Sequence, residues 1–119
     1  GGFTALELAR SGAPLAGVVS FHGLLATQKP ATAGAIKGKI LVCTGSADPL
    51  VPADQVLGFE REMSEAGVDW QVITYSGAKH AFTNPMADAL NRPGFGYQEA
   101  ADRRSWAAMR AHFGEIFAA

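Results

Sequence analysis

Apolar and polar positions along the chain fall into two repeating patterns. Three short runs are rich in β-branched and aromatic residues: GVVSF at 17–21, KILVCT at 39–44 and WQVITY at 70–75. Runs of this kind, bounded by Gly, Pro or Asp, predict strands. In the second, Ile40, Leu41, Val42 and Cys43 are consecutive, which suits a strand buried on both faces. Other stretches follow the helical period. Residues 3–10 set Phe3 and Leu6 one turn apart, and Gly12 and Pro14 stop that helix. Residues 53–66 carry Val56, Leu57, Phe59 and Met63 on an amphipathic helix ended by Gly67. The last helix is expected at about 98–117, with Trp106, Met109, Phe113 and Phe117 as its core-facing stripe. Residues 24–38 and 84–96 hold Pro, Gly and Asn and are expected to be loops.

Strands that alternate with helices predict an α/β fold with about three parallel strands and flanking helices, in a single domain. In such sheets ligands and chemistry collect just beyond the carboxyl ends of the strands. Those ends carry His22-Gly23, Gly45-Ser46-Ala47-Asp48 and Gly77-Ala78-Lys79-His80. Asp48 and His80 follow successive strands, so the fold brings them to one edge. A carboxylate beside an imidazole fixes its tautomer and stabilises its cation, which prepares a general base. Spacing alone leaves the plainer alternative open, in which Asp48 caps a turn and His80 lies on a loop surface.

Composition removes several function classes. Ten Lys and Arg face eleven Asp and Glu, for a net charge of −1, so no basic footprint for nucleic acid or an anionic lipid surface exists. No apolar run approaches the ~18 residues of a membrane span. The single Cys excludes an intrachain disulfide or a Cys-based zinc site, and a reducing cytoplasmic compartment is expected. His22, His80 and His112 have no metal-ligand spacing, and Gly94-Phe95-Gly96 follows no strand, so neither metal nor dinucleotide cofactor is expected. His112 is expected at the surface, and Trp70 and Trp106 in the core.

The local words add a resemblance. The run 41–52, Leu-Val-Cys-Thr-Gly-Ser-Ala-Asp-Pro-Leu-Val-Pro, looks like the acid loop of α/β-hydrolases, and Gly77-Ala78-Lys79-His80-Ala81-Phe82 looks like their histidine loop. With Ser20-Phe21-His22-Gly23, Ala81-Phe82-Thr83-Asn84-Pro85 and Ala101-Asp102-Arg103-Arg104-Ser105-Trp106, the chain resembles the dienelactone hydrolase family over the carboxyl-terminal half of its domain. The resemblance implies cleavage of lactones or small carboxylic esters, with Asp48 as triad acid and His80 as base and no cofactor. It also implies that Gly1 and Gly2 match the glycines closing the nucleophile elbow, so that the family's usual Cys nucleophile precedes this chain.

His22, Phe82 and Arg103 are candidate substrate contacts. For His22 the alternative is a hydrogen-bonded structural imidazole beside the site, and for Arg103 and Arg104 a solvated first helical turn. No residue is expected to replace the nucleophile. Cys43 lies within a strand, and Thr44, Ser46 and Ser76 are not on a strand–helix elbow. In the family's sheet the strand at 17–21 would have a neighbour that this chain does not supply. An apolar strand edge is therefore expected, leading to a homo-oligomer or to pairing with an amino-terminal half. A catalytically inactive unit that binds a small molecule or another chain is the alternative function.

Overall fold

The computed structural model describes residues 1–118. Strands β1 (Gly17–Phe21), β2 (Lys39–Gly45) and β3 (Trp70–Tyr75) form one parallel sheet in the order β1-β2-β3. Helices α1 (Gly2–Arg10) and α2 (Ala53–Glu65) precede β1 and β3, and α3 (Glu99–Ile116) follows the sheet. A 3-10 turn at Ala87–Leu90 shortens the last loop, which the sequence pattern left irregular.

β2 lies at the centre, and its side chains alternate between two apolar layers, as a period of two requires. Ile40 and Val42 join Leu6, Val18, Phe59 and Met63 on the face of α1 and α2. Leu41 and Cys43 join Tyr75, Phe82 and Ala101 on the face of α3. Burial on both faces explains why this strand is the most continuously apolar in the chain. The α2 stop also follows from chemistry: Gly67 takes φ +74°, letting the Val68 N–H reach the Met63 carbonyl at 2.9 Å.

Arg10 joins the two helices of one layer. Its Nε and Nη2 donate to the two oxygens of Glu62 at 2.8 Å each, Nη1 donates to Glu7 at 2.7 Å, and Nη2 also reaches the Leu25 carbonyl at 2.8 Å. Glu62 in turn accepts the Ala31 N–H at 2.9 Å, so this bidentate pair holds α1, α2 and the 22–38 loop together. The Arg10 side chain is 3% exposed, so the pair works largely out of water.

The α3 stripe corrects the sequence expectation. Ala101, Ser105 and His112 are its buried positions, with Ala108 packed against the same core, whereas Trp106 and Phe117 are 54% and 68% exposed. Small side chains let the helix lie close to the sheet. Gly17 completes the fit, because a Cβ there would overlap the Ile116 side chain. Trp106 instead lies beside Phe21 of β1, with ring centroids 6.3 Å apart. His112, expected at the surface, is 8% exposed. Trp70 is half-buried, its indole N–H donating to Ser64 at 3.0 Å.

Replacing Arg10 with Ala leaves the Glu62 carboxylate, 11% exposed, without its cation. Arg10→Ala is expected to cost about 3 kcal/mol of unfolding free energy in urea titration; a loss under about 0.5 kcal/mol would show that the pair is not a tether.

Candidate active site

The site forms where the loops after β2 and β3 close on one another. The Ser46 N–H donates to the Tyr75 carbonyl and the Ala47 N–H to the Ala78 carbonyl, each at 2.9 Å. The Gly77 N–H returns to Ser46 Oγ at 2.7 Å. Gly45 permits this approach, since a Cβ there would overlap the Ala78 carbonyl oxygen. The result sets Asp48 and His80 side by side. Asp48 Oδ1 accepts the Leu50 N–H at 2.9 Å, closing its own turn, and Oδ2 accepts from His80 Nδ1 at 2.8 Å. Asp48 thus serves the turn and the imidazole together. Its side chain is 0% exposed and that of His80 19%, so the carboxylate is sealed while the imidazole keeps an open side.

The His80 backbone is held at both ends. Its N–H donates to the Gly94 carbonyl at 2.9 Å, and its carbonyl accepts the Gly96 N–H at 3.2 Å. Phe95, brought in by that bridge, meets the His80 ring edge-on with centroids 4.9 Å apart. His22 meets it at 5.5 Å, also edge-on. His22 itself has φ +45°, donates its N–H to the Cys43 carbonyl at 2.8 Å, and sets Nε2 2.8 Å from Thr83 Oγ1. Burial, reinforced by His80 and opposed by Asp48, lowers the His22 pKa to about 4.

A recess of about 500 Å³ opens here, bordered by Gly1, Gly2, His22, Gly23, His80 and Thr83. The amino terminus of α1 lies at its edge, where first-turn N–H groups have no intrahelical acceptor. Two of the expected contacts lie elsewhere. Phe82 is fully buried in the core behind the site, against Tyr75 and His22, because its backbone turns inward after Ala81 at φ +62°. Arg103 lies on the exposed face of α3, donating to Glu99 at 3.0 Å, outside the recess. Thr44, Ser46 and Ser76 also lie outside it.

Cys43 is fully buried, and desolvation pushes its thiol up to about 11 despite a contact from Tyr75 Oη at 3.9 Å. At neutral pH about one molecule in ten thousand would carry that thiolate. Sequence reasoning missed two members of the site, Thr83 and Phe95. Thr83 carried a signal, lying three residues after His80, but Phe95 reaches His80 only through a bridge that no local pattern announces. Among the described residues no group of three or more His, Cys, Asp or Glu side chains could hold a metal ion, and no helix is long and apolar enough to cross a membrane.

Comparison with known proteins gives one consistent pattern. The sequence model of the dienelactone hydrolase family matches residues 1–117. A solved dienelactone hydrolase-like promiscuous phosphotriesterase from metagenomic libraries is 44% identical with a TM-score of 0.88, covering 98% of this chain and 48% of its own. The solved protein m3DLH is 47% identical with a TM-score of 0.92, covering 99% of this chain and 49% of its own. An uncharacterised protein of Caenorhabditis elegans is 32% identical over 120 residues, spanning 99% of this chain and 76% of that protein. The chain therefore spans about half the length of the solved structures it matches.

The lowered His22 pKa carries a pH signature. An unfolded His22 titrates near 6.5 and the folded one near 4, so between these values the unfolded state binds more protons and acid destabilises the fold. The thermal midpoint is expected to fall as pH drops through this window, and His22→Phe to flatten that slope. Parallel slopes in the two proteins would show that His22 is not the group responsible.

Proposed function

The chain belongs to the dienelactone hydrolase family, and from that premise we propose that it is the acid- and base-bearing part of a hydrolase of lactones or small carboxylic esters. The observation carrying this reading is the 2.8 Å bond from His80 Nδ1 to the sealed Asp48 carboxylate, at the carboxyl ends of adjacent parallel strands. Asp48 orients the imidazole and stabilises its cation, leaving Nε2 to exchange a proton with a nucleophile and then with the leaving alcohol. Backbone N–H groups of the nucleophile elbow hold the oxyanion, beside the recess that Gly1 and Gly2 border. The attacking thiolate comes from polypeptide outside these 119 residues, since the Cys43 thiol is fully buried, pushed up to about 11 by desolvation, and outside the recess.

A second reading is favoured by a separate observation. The outer edge of β1 has no strand partner among the described residues. We propose that this edge pairs with an amino-terminal half or with a second copy of the chain, in a cytoplasmic assembly. The inactive binding unit remains the competing outcome for the isolated chain.

Two measurements test these readings. With p-nitrophenyl acetate the isolated chain is expected to be inert. Joined to the nucleophile-bearing half it turns over, and His80→Ala lowers kcat about a hundredfold to ten-thousandfold. Equal rates in His80→Ala and the parent assembly would overturn the assignment. An aryl phosphotriester in the same assay asks whether the promiscuity of the metagenomic relative extends to this chain. Light scattering of the isolated chain is expected to give a dimer or larger species at micromolar concentration; a strict monomer would reject self-pairing through β1.

A further inference from the structure

We propose that His22 is a positioning residue: acting through Thr83, it holds the His80 segment so that Nδ1 stays on Asp48 and Nε2 is left for the recess. This rests on the reading of His80 as the base, but the geometry behind it is separate from the Asp48 bond. His22 occupies a left-handed backbone position, φ +45°, just after β1 and before Gly23. Glycine takes such a conformation without steric cost, whereas an imidazole there is retained by what its ring touches.

The ring's hydrogen bond and its two aromatic contacts fall on one four-residue segment. Nε2 is 2.8 Å from Thr83 Oγ1, and the ring packs edge-on against His80 at 5.5 Å and Phe82 at 5.1 Å. That segment is itself sharply bent, with Ala81 at φ +62° and the Asn84 N–H returning to the Ala81 carbonyl at 2.9 Å. On its other side His22 is fixed to the sheet, its N–H donating to the Cys43 carbonyl of β2 at 2.8 Å. A continuous path therefore runs from the central strand through His22 and Thr83 to the bend that presents His80. Phe95 packs against the same imidazole at 4.9 Å, so two aromatic rings and one carboxylate define its orientation.

Positioning and proton transfer by His22 are separable. The partner hydroxyl of Thr83 lines the recess, and a Thr–His pair resembles a nucleophile with its base. A ring that protonates only near pH 4 is a weak acceptor for a hydroxyl proton at neutral pH. Neutral His22 also places no positive charge beside His80, so it can pack against that ring in either of its protonation states.

The test follows the Nδ1 proton of His80 by NMR in the full chain, without reference to turnover. Thr83→Val removes the hydroxyl at nearly constant volume, and Thr83→Ser restores it. Exchange of the His80 Nδ1 proton with water is expected to quicken about tenfold in Thr83→Val and return towards the parent rate in Thr83→Ser. His22→Phe keeps an edge-on ring but loses the bond to Thr83, and is expected to behave like Thr83→Val. Backbone amides of β2 and β3 should keep their protection in all three, which a general loosening of the fold would not allow. Parent-like exchange in Thr83→Val and His22→Phe would overturn the proposal; if Thr83→Val does not fold, His22→Phe alone decides it. Failure of ester hydrolysis by the chain joined to the nucleophile-bearing half, with the exchange effect intact, would overturn the function and leave the positioning role standing.

Discussion

The approach of two loops at Gly45 governs the geometry of the site. Only hydrogen fits between the β2 end and the Ala78 carbonyl, and this contact brings the turns after β2 and β3 into backbone register. Asp48 and His80 are then neighbours because their loops are stitched together, not because their side chains seek each other across solvent. The Asp48–His80 contact itself is a single hydrogen bond between a sealed carboxylate and a partly open ring. Its direction comes from peptide groups that bear no charge and do not titrate.

Around this junction the fold divides its tasks. The layer of α1 and α2 is tied by the Arg10–Glu62 pair, which also holds the 22–38 loop that replaces a crossover helix between β1 and β2. The layer of α3 is closed by the small Ala101 and Ser105 and by His112, with Gly17 leaving room for the Ile116 side chain. The central strand serves both layers and offers no reactive group to either, since Cys43 is spent on packing. The same strand supplies the Cys43 carbonyl that anchors His22.

Much of this was legible in the chain. The three strands and the helices on either side follow from apolar periodicity and from Gly and Pro punctuation. The expected strand bounds 17–21 and 70–75 coincide with β1 and β3, and β2 runs one residue past the expected 39–44. The meeting of Asp48 with His80 follows from their places after successive parallel strands. Other features were hidden for physical reasons. Counting large apolar residues on α3 picked Trp106 and Phe117, but a helix lying close to a sheet buries its smallest side chains, and Ala101 and Ser105 took those places. Phe82 sits in the run that resembles the family's histidine loop, yet it lies in the core just after a left-handed Ala81, and such a backbone angle at alanine has no sequence signature. Phe95 meets His80 through a bridge between segments that only the folded chain brings together.

The sheet order β1-β2-β3 is also the order in which the strands occur along the polypeptide. Each strand can dock on the one made just before it. During synthesis the acid of the pair would therefore leave the ribosome on a finished β2 while the imidazole was still being added. Until β3 and the segment reaching Gly96 have emerged, Asp48 has no imidazole to orient. A nascent chain halted before that point would carry the folded Asp48 turn with no imidazole beside it.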